Sequence, residues 1–196
     1  MPKIVDHEQR RREILEATWR VIDSQGIEAA TIREIAREAG YSNGVLSHYF
    51  ANKEDILISA HKLAFQQVFD RADRASEGIV GLEAVRRALY EALPLDEPRR
   101  LEAVLDVSFW SQALSNDRLN AVRRESIIEG RVWWLQMLTA GRSAGEITTP
   151  IEDEVLCDEI QALIDGISVQ AVMYPGDMVP ARQLAMADAF LARLSG

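Results

Sequence analysis

Apolar residues along this chain recur every three or four positions and nowhere alternate for long, which predicts helices throughout and no strands. Between about Glu8 and Gln25, Ile14, Leu15, Thr18, Val21 and Ile22 share one side, and Gly26 ends the run. From Thr31 the pattern shortens. Thr31 and Glu34 form a T-x-x-E capping box, Ile32, Ile35, Ala36 and Ala39 make one apolar face, and Gly40 supplies the left-handed residue that stops the helix. Ser42 caps another helix only two residues later, so the chain must turn sharply. Val45, Leu46, Tyr49 and Phe50 carry the inward spacing of that helix and leave Asn43, Gly44, Ser47 and His48 outside. A fourth helix starts at Asn52, with Asp55 placed to complete its cap, and runs to about Ala75. Its stripe of Ile56, Leu57, Ala60, Ala64, Val68 and Phe69 is long enough to leave a small head and enter a second domain.

The remainder reads as five more helices near 82–93, 97–115, 117–144, 151–173 and 180–195, separated by Gly, Pro, Asn and Asp residues. The expected architecture is all-α: an N-terminal three-helix helix-turn-helix head over residues 1–68, joined by a long helix to a C-terminal helical bundle over 69–196, about nine helices in all. The 117–144 helix is apolar on three lines, with Leu119 and Trp133 on one, Ile127 and Trp134 on another, and Ile128 and Val132 on the third, so it is expected to be central. Ser126 and Gly130 lie below Trp133 and leave room for a cavity or for a large packed neighbour. Thr149, Pro150 and Glu152 predict a helix start as cap, first-turn proline and first-turn acid. The helix they open carries two stripes. Leu156, Ile160, Leu163 and Ile167 form one; Val155, Ala162, Gly166, Val169 and Met173 form a smaller-sided second. Two stripes imply two partners, and with Phe190 on the last helix they predict a four-helix interface in a homodimer; the alternative satisfies both stripes within one chain.

Two short helices at a steep angle, the second showing uncharged hydrogen-bonding groups, suit insertion into a DNA major groove. Gly44 within the second helix costs about 1 kcal/mol relative to Ala, which makes sense if its backbone approaches something closely. Lys53 opposes the dipole at the start of the fourth helix, where an external anion explains a cation better than helix stability does. Arg10, Arg11 and Arg12 open the first helix and are expected to supply at least one phosphate contact. The net charge of −9 is unevenly divided: residues 1–62 hold 9 Lys and Arg against 10 Asp and Glu, residues 63–196 hold 13 against 21. The acid therefore lies mostly outside the head, which excludes non-specific coating of nucleic acid but not a small reading head.

From Ala36 to Leu57 the chain reads AREAGYSNGVLSHYFANKEDIL, which resembles the helix-turn-helix of the tetracycline-repressor (TetR) family, A-x-x-A-G-x-S-x-G-x-(L/I)-x-x-(H/Y)-F-x-x-K-(E/D)-x-L. The likeness covers about residues 8–68. Ser47 stands where many members carry Tyr, so that contact does not carry over. The resemblance implies a transcriptional regulator, a repressor whose paired heads enter successive major grooves of a palindromic double-stranded DNA operator. It implies an effector among the C-terminal helices that swings the fourth helix. Asn43, Gly44, Ser47 and His48 are expected at bases, with Arg33 reaching a base from the preceding helix; Thr31, Tyr49 and Lys53 are expected at phosphates. Within the family, the N-terminal run and the LIDG stretch at 163–166 look most like choline-sensing regulators of betaine synthesis.

Enzymatic signatures are missing. The three histidines, His7, His48 and His61, fall in no H-E-x-x-H and not three residues after a Glu, and no glycine-rich phosphate loop or G-x-S-x-G occurs. No enzyme, cofactor or metal is expected. Cys157 is a lone cysteine in a helical run, which fits packing and a reducing cytoplasm. No membrane span is expected. For the effector, Tyr90, Phe109, Trp110, Trp133 and Met137 are candidates, with Asp106 and Glu129 each four residues before a Trp. An acid and an aromatic ring on one helix face suit a small hydrophobic or cationic ligand. The alternative is a constitutive DNA-binding or interaction protein with no effector, its aromatics filling the core.

Overall fold

A computed structural model describes residues 2–195, with side chains from His7 onward. Among them are nine α-helices, one 3-10 turn and no strand: α1 Pro2–Gln25, the 3-10 turn Ile27–Ala29, α2 Ile32–Ala39, α3 Asn43–Tyr49, α4 Lys53–Ser76, α5 Leu82–Glu91, α6 Glu97–Ala113, α7 Asp117–Ser143, α8 Asp153–Met173 and α9 Pro180–Ala192. The helix-rich expectation holds. α1 begins six residues before Glu8, because Ile4 and Val5 are followed by no apolar residue at positions 7, 8 or 11 and so give no period to read.

The residues pack as two units, one made of Met1–Ala64 with Val104–Arg123, the other of Phe65–Ala103 with Arg124–Gly196. In the first, Ile14, Leu15, Thr18, Val21 and Ile22 of α1, Ile35 and Ala36 of α2, Leu46 of α3 and Ile56, Leu57 and Ala60 of α4 are all buried, and α1 packs on α2. Trp19 fills the same core and its Nε1 donates to the Ala60 carbonyl at 3.3 Å. The unit also takes in the corner between α6 and α7, a stretch that the sequence-drawn boundary at 68 assigns to the bundle. Gln112 donates to Glu28 at 2.6 Å, Asn116 to Glu54 at 2.7 Å, and Arg118 to Glu54 and Asp55 at 2.6 and 2.8 Å. These contacts hold the 3-10 turn and the first turn of α4. Glu54 is kept below the usual carboxylate range by its hydrogen bonds from Asn116 and then Arg118.

The second unit is built around Val85, Leu89 and Leu93 of the α5 region, Trp134 and Leu138 of α7, Leu156, Ile160 and Ile167 of α8, and Phe190 and Leu191 of α9. Arg71 of α4 forks onto Glu102 of α6 at 2.7 and 2.6 Å, and Glu102 is only 6% exposed. Gly81, at φ 80°, lets the Glu146 carboxylate come close enough to accept the Leu82 N–H at 3.0 Å, a cap supplied from 64 residues away.

Three local expectations need correction. The capping box at Thr31 forms by half: Thr31 Oγ1 accepts the Glu34 N–H at 3.2 Å, while the Glu34 carboxylate is taken by Arg37 and Gln25 and the Thr31 N–H by Ala29. Thr149 does not cap α8, which starts at Asp153; Arg142 binds the carbonyls of Thr149 and Ile151 together with the Asp153 carboxylate, holding the approach extended. And α7 is not enclosed on all sides, since Ile128 and Val132 are each 52% exposed.

Candidate nucleic-acid interface

The α2–turn–α3 pair is fixed by local chemistry. Gly40 adopts φ 74°, a left-handed conformation costly for residues with a Cβ, and the Tyr41 N–H closes back on the Ala36 carbonyl at 2.9 Å. Ser42 Oγ then accepts the Val45 N–H at 3.4 Å and starts α3 at once. Leu46, fully buried, and Phe50 root α3 in the head. That rooting turns Asn43, Gly44, Ser47 and His48 out, all four exposed. Thr31 and Arg33 of α2 are exposed as well. A Cβ on Gly44 would meet nothing nearer than Ser42 Oγ at 3.8 Å, so packing within the chain does not require a glycine there.

α1 adds to this face. His7 and Arg10 line a groove of about 440 Å³ with Ser42, Gly44, Val45, His48 and Tyr49. The Tyr49 ring is half-buried and lies 4.4 Å from that of His7. Arg11, in contrast, is turned into the head: its guanidinium sits 4.5 Å over the Phe50 ring and donates to the Tyr49 carbonyl and Ser59. Arg12 pairs with Glu16 at 2.9 Å. Of the three arginines, Arg10 is the one on the groove. Lys53 has an internal task, donating to the carbonyls of Ile27 at 2.8 Å and Glu28 at 3.3 Å. The carbonyls of the 3-10 turn thus offer the partner for this cation that the sequence placed outside.

The candidate effector residues are divided between the two units. In the first, Phe109 stacks on the buried His61 at 4.3 Å, and Asp106 comes within 3.6 Å of the imidazole. Burial, and after it the charges of Arg123 and Lys62, push His61 down to about 4, so the ring is neutral at neutral pH. Trp110 already carries a cation, the Arg123 guanidinium at 4.1 Å. In the second unit, Tyr90 donates to Asp188 at 2.6 Å, and Trp133 donates to Asp73 of α4 at 2.9 Å rather than meeting Glu129, which is exposed. Met137 is half-buried against the second unit's core. A separate notch of about 230 Å³ lies between α7 and α8, lined by Trp134, Cys157, Asp158 and Asp165 among others. Burial raises the Cys157 thiol to about 11, which keeps it protonated and unreactive.

On α8, Val155 and Met173 are 49% and 58% exposed, Ala162 and Gly166 are exposed, and Val169 is half-buried. A Cβ on Gly166 would meet nothing within 4 Å. Phe190 departs from this set, being 4% exposed in the chain's own core beneath Arg193. Among the described residues no helix is long and apolar enough to cross a membrane, and no group of three or more His, Cys, Asp or Glu could hold a metal ion. The sequence reading missed His7, which carries no motif, and Gln112, Asn116 and Arg118, whose partners are 62 to 84 residues away.

Residues 14–60 match the family model described as bacterial regulatory proteins, tetR family, and residues 81–196 match that of the BetI-type transcriptional repressor C-terminal domain. The chain is 34% identical over 177 residues to the HTH-type transcriptional regulator PksA of Bacillus subtilis, spanning 89% of this chain and 84% of that protein. It is 30% identical over 190 residues to the regulator BetI 1 of Chromohalobacter salexigens, spanning 94% and 91% of the two. A Saccharomonospora viridis regulator solved in complex with choline has the same fold, with a TM-score of 0.84 at 24% identity over 94% of this chain and 96% of that one.

Proposed function

We propose, from the premise that this chain belongs to the TetR family of DNA-binding transcriptional regulators and carries its BetI-type C-terminal domain, that it is a dimeric repressor released from a palindromic operator by a small-molecule effector. The observation that carries the reading is the outward face of α3. Asn43, Ser47 and His48 offer hydrogen-bonding groups without fixed charge, and Gly44 lets the helix backbone approach a base edge. Thr31 and Arg33 flank them. Lys53 has one ammonium donor beyond the two spent on carbonyls, and that donor suits a phosphate. The exposed α8 stripe of Val155, Ala162, Gly166 and Met173, with Val169, supports pairing of two chains through that helix. Two-fold symmetry then requires half-sites about 34–36 Å apart, or a multiple.

Release demands an element whose arrangement both ligands bias. The α6–α7 corner fits: it grips the first turn of α4, which begins with Lys53, and the 3-10 turn, which leads into Thr31. The acidic balance of residues 63–196 supports an organic cation as effector, and choline is the first probe to try given the likeness at 163–166. A constitutive binder without an effector is the second reading. It is favoured by the partners that candidate aromatics already hold, since the Trp110 ring faces Arg123, Trp133 donates to Asp73 and Tyr90 to Asp188.

Selection of genomic fragments by the purified full chain, followed by titration of the recovered duplex with choline, larger organic cations and neutral apolar compounds, tests both. Release by cations supports the first reading. Release only by neutral or anionic compounds removes the cation, and no release by any compound leaves the constitutive reading. Failure to enrich any sequence overturns the DNA-reading head itself.

A further inference from the structure

Three rings meet on the outward face of the head, and one of them comes from outside the helix-turn-helix. His7 of α1 lies 4.4 Å from Tyr49 and 6.0 Å from His48 of α3, and His48 stands edge-on to Tyr49 at 5.5 Å and 86°. Both histidines are exposed, and all three rings line the groove shared with Arg10, Ser42, Gly44 and Val45. The head's core lies beneath them in Leu46 and Phe50, so the fold does not depend on the imidazoles.

Among the described residues, the charged and titratable groups around the pair are Arg10 and Arg11 of α1 and Tyr49 of α3. Arg11 is bound to the Tyr49 carbonyl and Ser59, and Glu13, the acid one turn beyond Arg10, is held by Gln9 and Tyr41. Histidine is the side chain whose ordinary charge change falls between pH 5 and 8. A DNA phosphate entering the groove would stabilise each imidazolium and accept its N–H.

We infer that His7 and His48 together form a proton-dependent clamp on a DNA phosphate, with His7 a DNA contact supplied by α1 and His48 a phosphate contact in place of the base contact expected from the sequence. The complex then holds more protons than the separated partners, so operator affinity rises as pH falls. The inference rests on the reading of α3 as a DNA-binding helix.

The test is fluorescence anisotropy with the genomically selected duplex and the full chain, at pH 6 and pH 8 across a range of salt. The expected result is binding about tenfold tighter at pH 6, with the magnitude of the salt slope larger there by about 1, one more phosphate being neutralised. His7→Gln keeps a polar exposed side chain but cannot take the charge. It should keep only the share of the pH dependence that His48 supplies, with base preference unchanged, while the His7→Gln, His48→Gln double variant should bind at both pH values as the native chain does at pH 8. A purely structural role for His7 would instead lower affinity equally at both pH values and leave the salt slopes alone, which overturns the inference. So does native binding that is the same at pH 6 and pH 8, or a His7→Gln, His48→Gln double variant that keeps the pH dependence. No binding at any pH overturns the reading of the head and the inference with it.

Discussion

Lys53 and Asn43 lie ten positions apart and answer to different physics. Lys53 ties the start of α4 to the carbonyls of Ile27 and Glu28 and has a donor left for DNA. Lys53→Ala should therefore do two things: weaken all duplexes alike with a salt slope smaller by about 1, and destabilise the head by roughly 1 kcal/mol as the carbonyls lose their partner. Salt-dependent titration and thermal unfolding read the two effects separately, and a loss of stability alone would leave Lys53 a structural residue. Asn43 is exposed and holds nothing up. Asn43→Ala should leave the melting temperature unchanged and erode discrimination at one base position by about 1–3 kcal/mol, measured by competition among operator variants. His61 is the buried counterpart of the histidines on the surface. Its folded-state value of about 4 lies below the ordinary 6.5, so the fold favours the neutral ring. That stability is complete above pH 6.5 and is lost as pH falls toward 4, up to about 3 kcal/mol from this one group. Unfolding in denaturant at pH 7 and pH 4.5 measures it; His61→Gln should flatten the difference, and an unchanged difference would assign the acid sensitivity to other groups.

At the level of elements, what the sequence revealed depended on how far each partner lay along the chain. The α2–turn–α3 pair was legible because a cap, an apolar face and a left-handed glycine are signals within a dozen residues. The start of α8 was misjudged because Arg142, seven residues before Thr149, takes the carbonyls that a helix opened at Thr149 would use for its first intrahelical bonds. Helix spacing put Glu129 and Trp133 on one face as a pair for a ligand, but it carried no sign that the indole N–H is taken by Asp73, 60 residues away on α4. The two stripes on α8 were visible as a pattern, and burial divides them: Leu156, Ile160 and Ile167 face the chain's own core while Gly166 and Met173 face out. Because a side chain at Gly166 would touch nothing in its own chain, Gly166→Leu should leave the fold of each protomer intact. Sedimentation is expected to show a folded monomer, with operator affinity lost; a stable dimer binding at full strength would place the interface on another face. For the α6–α7 corner, Arg118→Gln should raise amide exchange in the first turn of α4 and the 3-10 turn while leaving α8 unchanged, and equal exchange would remove the corner as a brace.

For the whole molecule, the order of residues along the chain and their membership of a packed unit do not coincide. Residues 104–123 lie late in the sequence yet pack with the first 64, and no periodicity or composition shift announces it. That interleaving bears on anyone who would recombine such proteins. A chimera made by cutting after α4's first turns and fusing the head to a foreign sensor leaves Glu28, Glu54 and Asp55 without Gln112, Asn116 and Arg118. Three acidic side chains would then stand uncompensated beside the elements that carry Thr31 and Lys53, on the approach to a polyanion. A graft of this head therefore needs a two-piece donor, the N-terminal stretch together with its corner, or else the neutral amides Gln and Asn in place of those three acids.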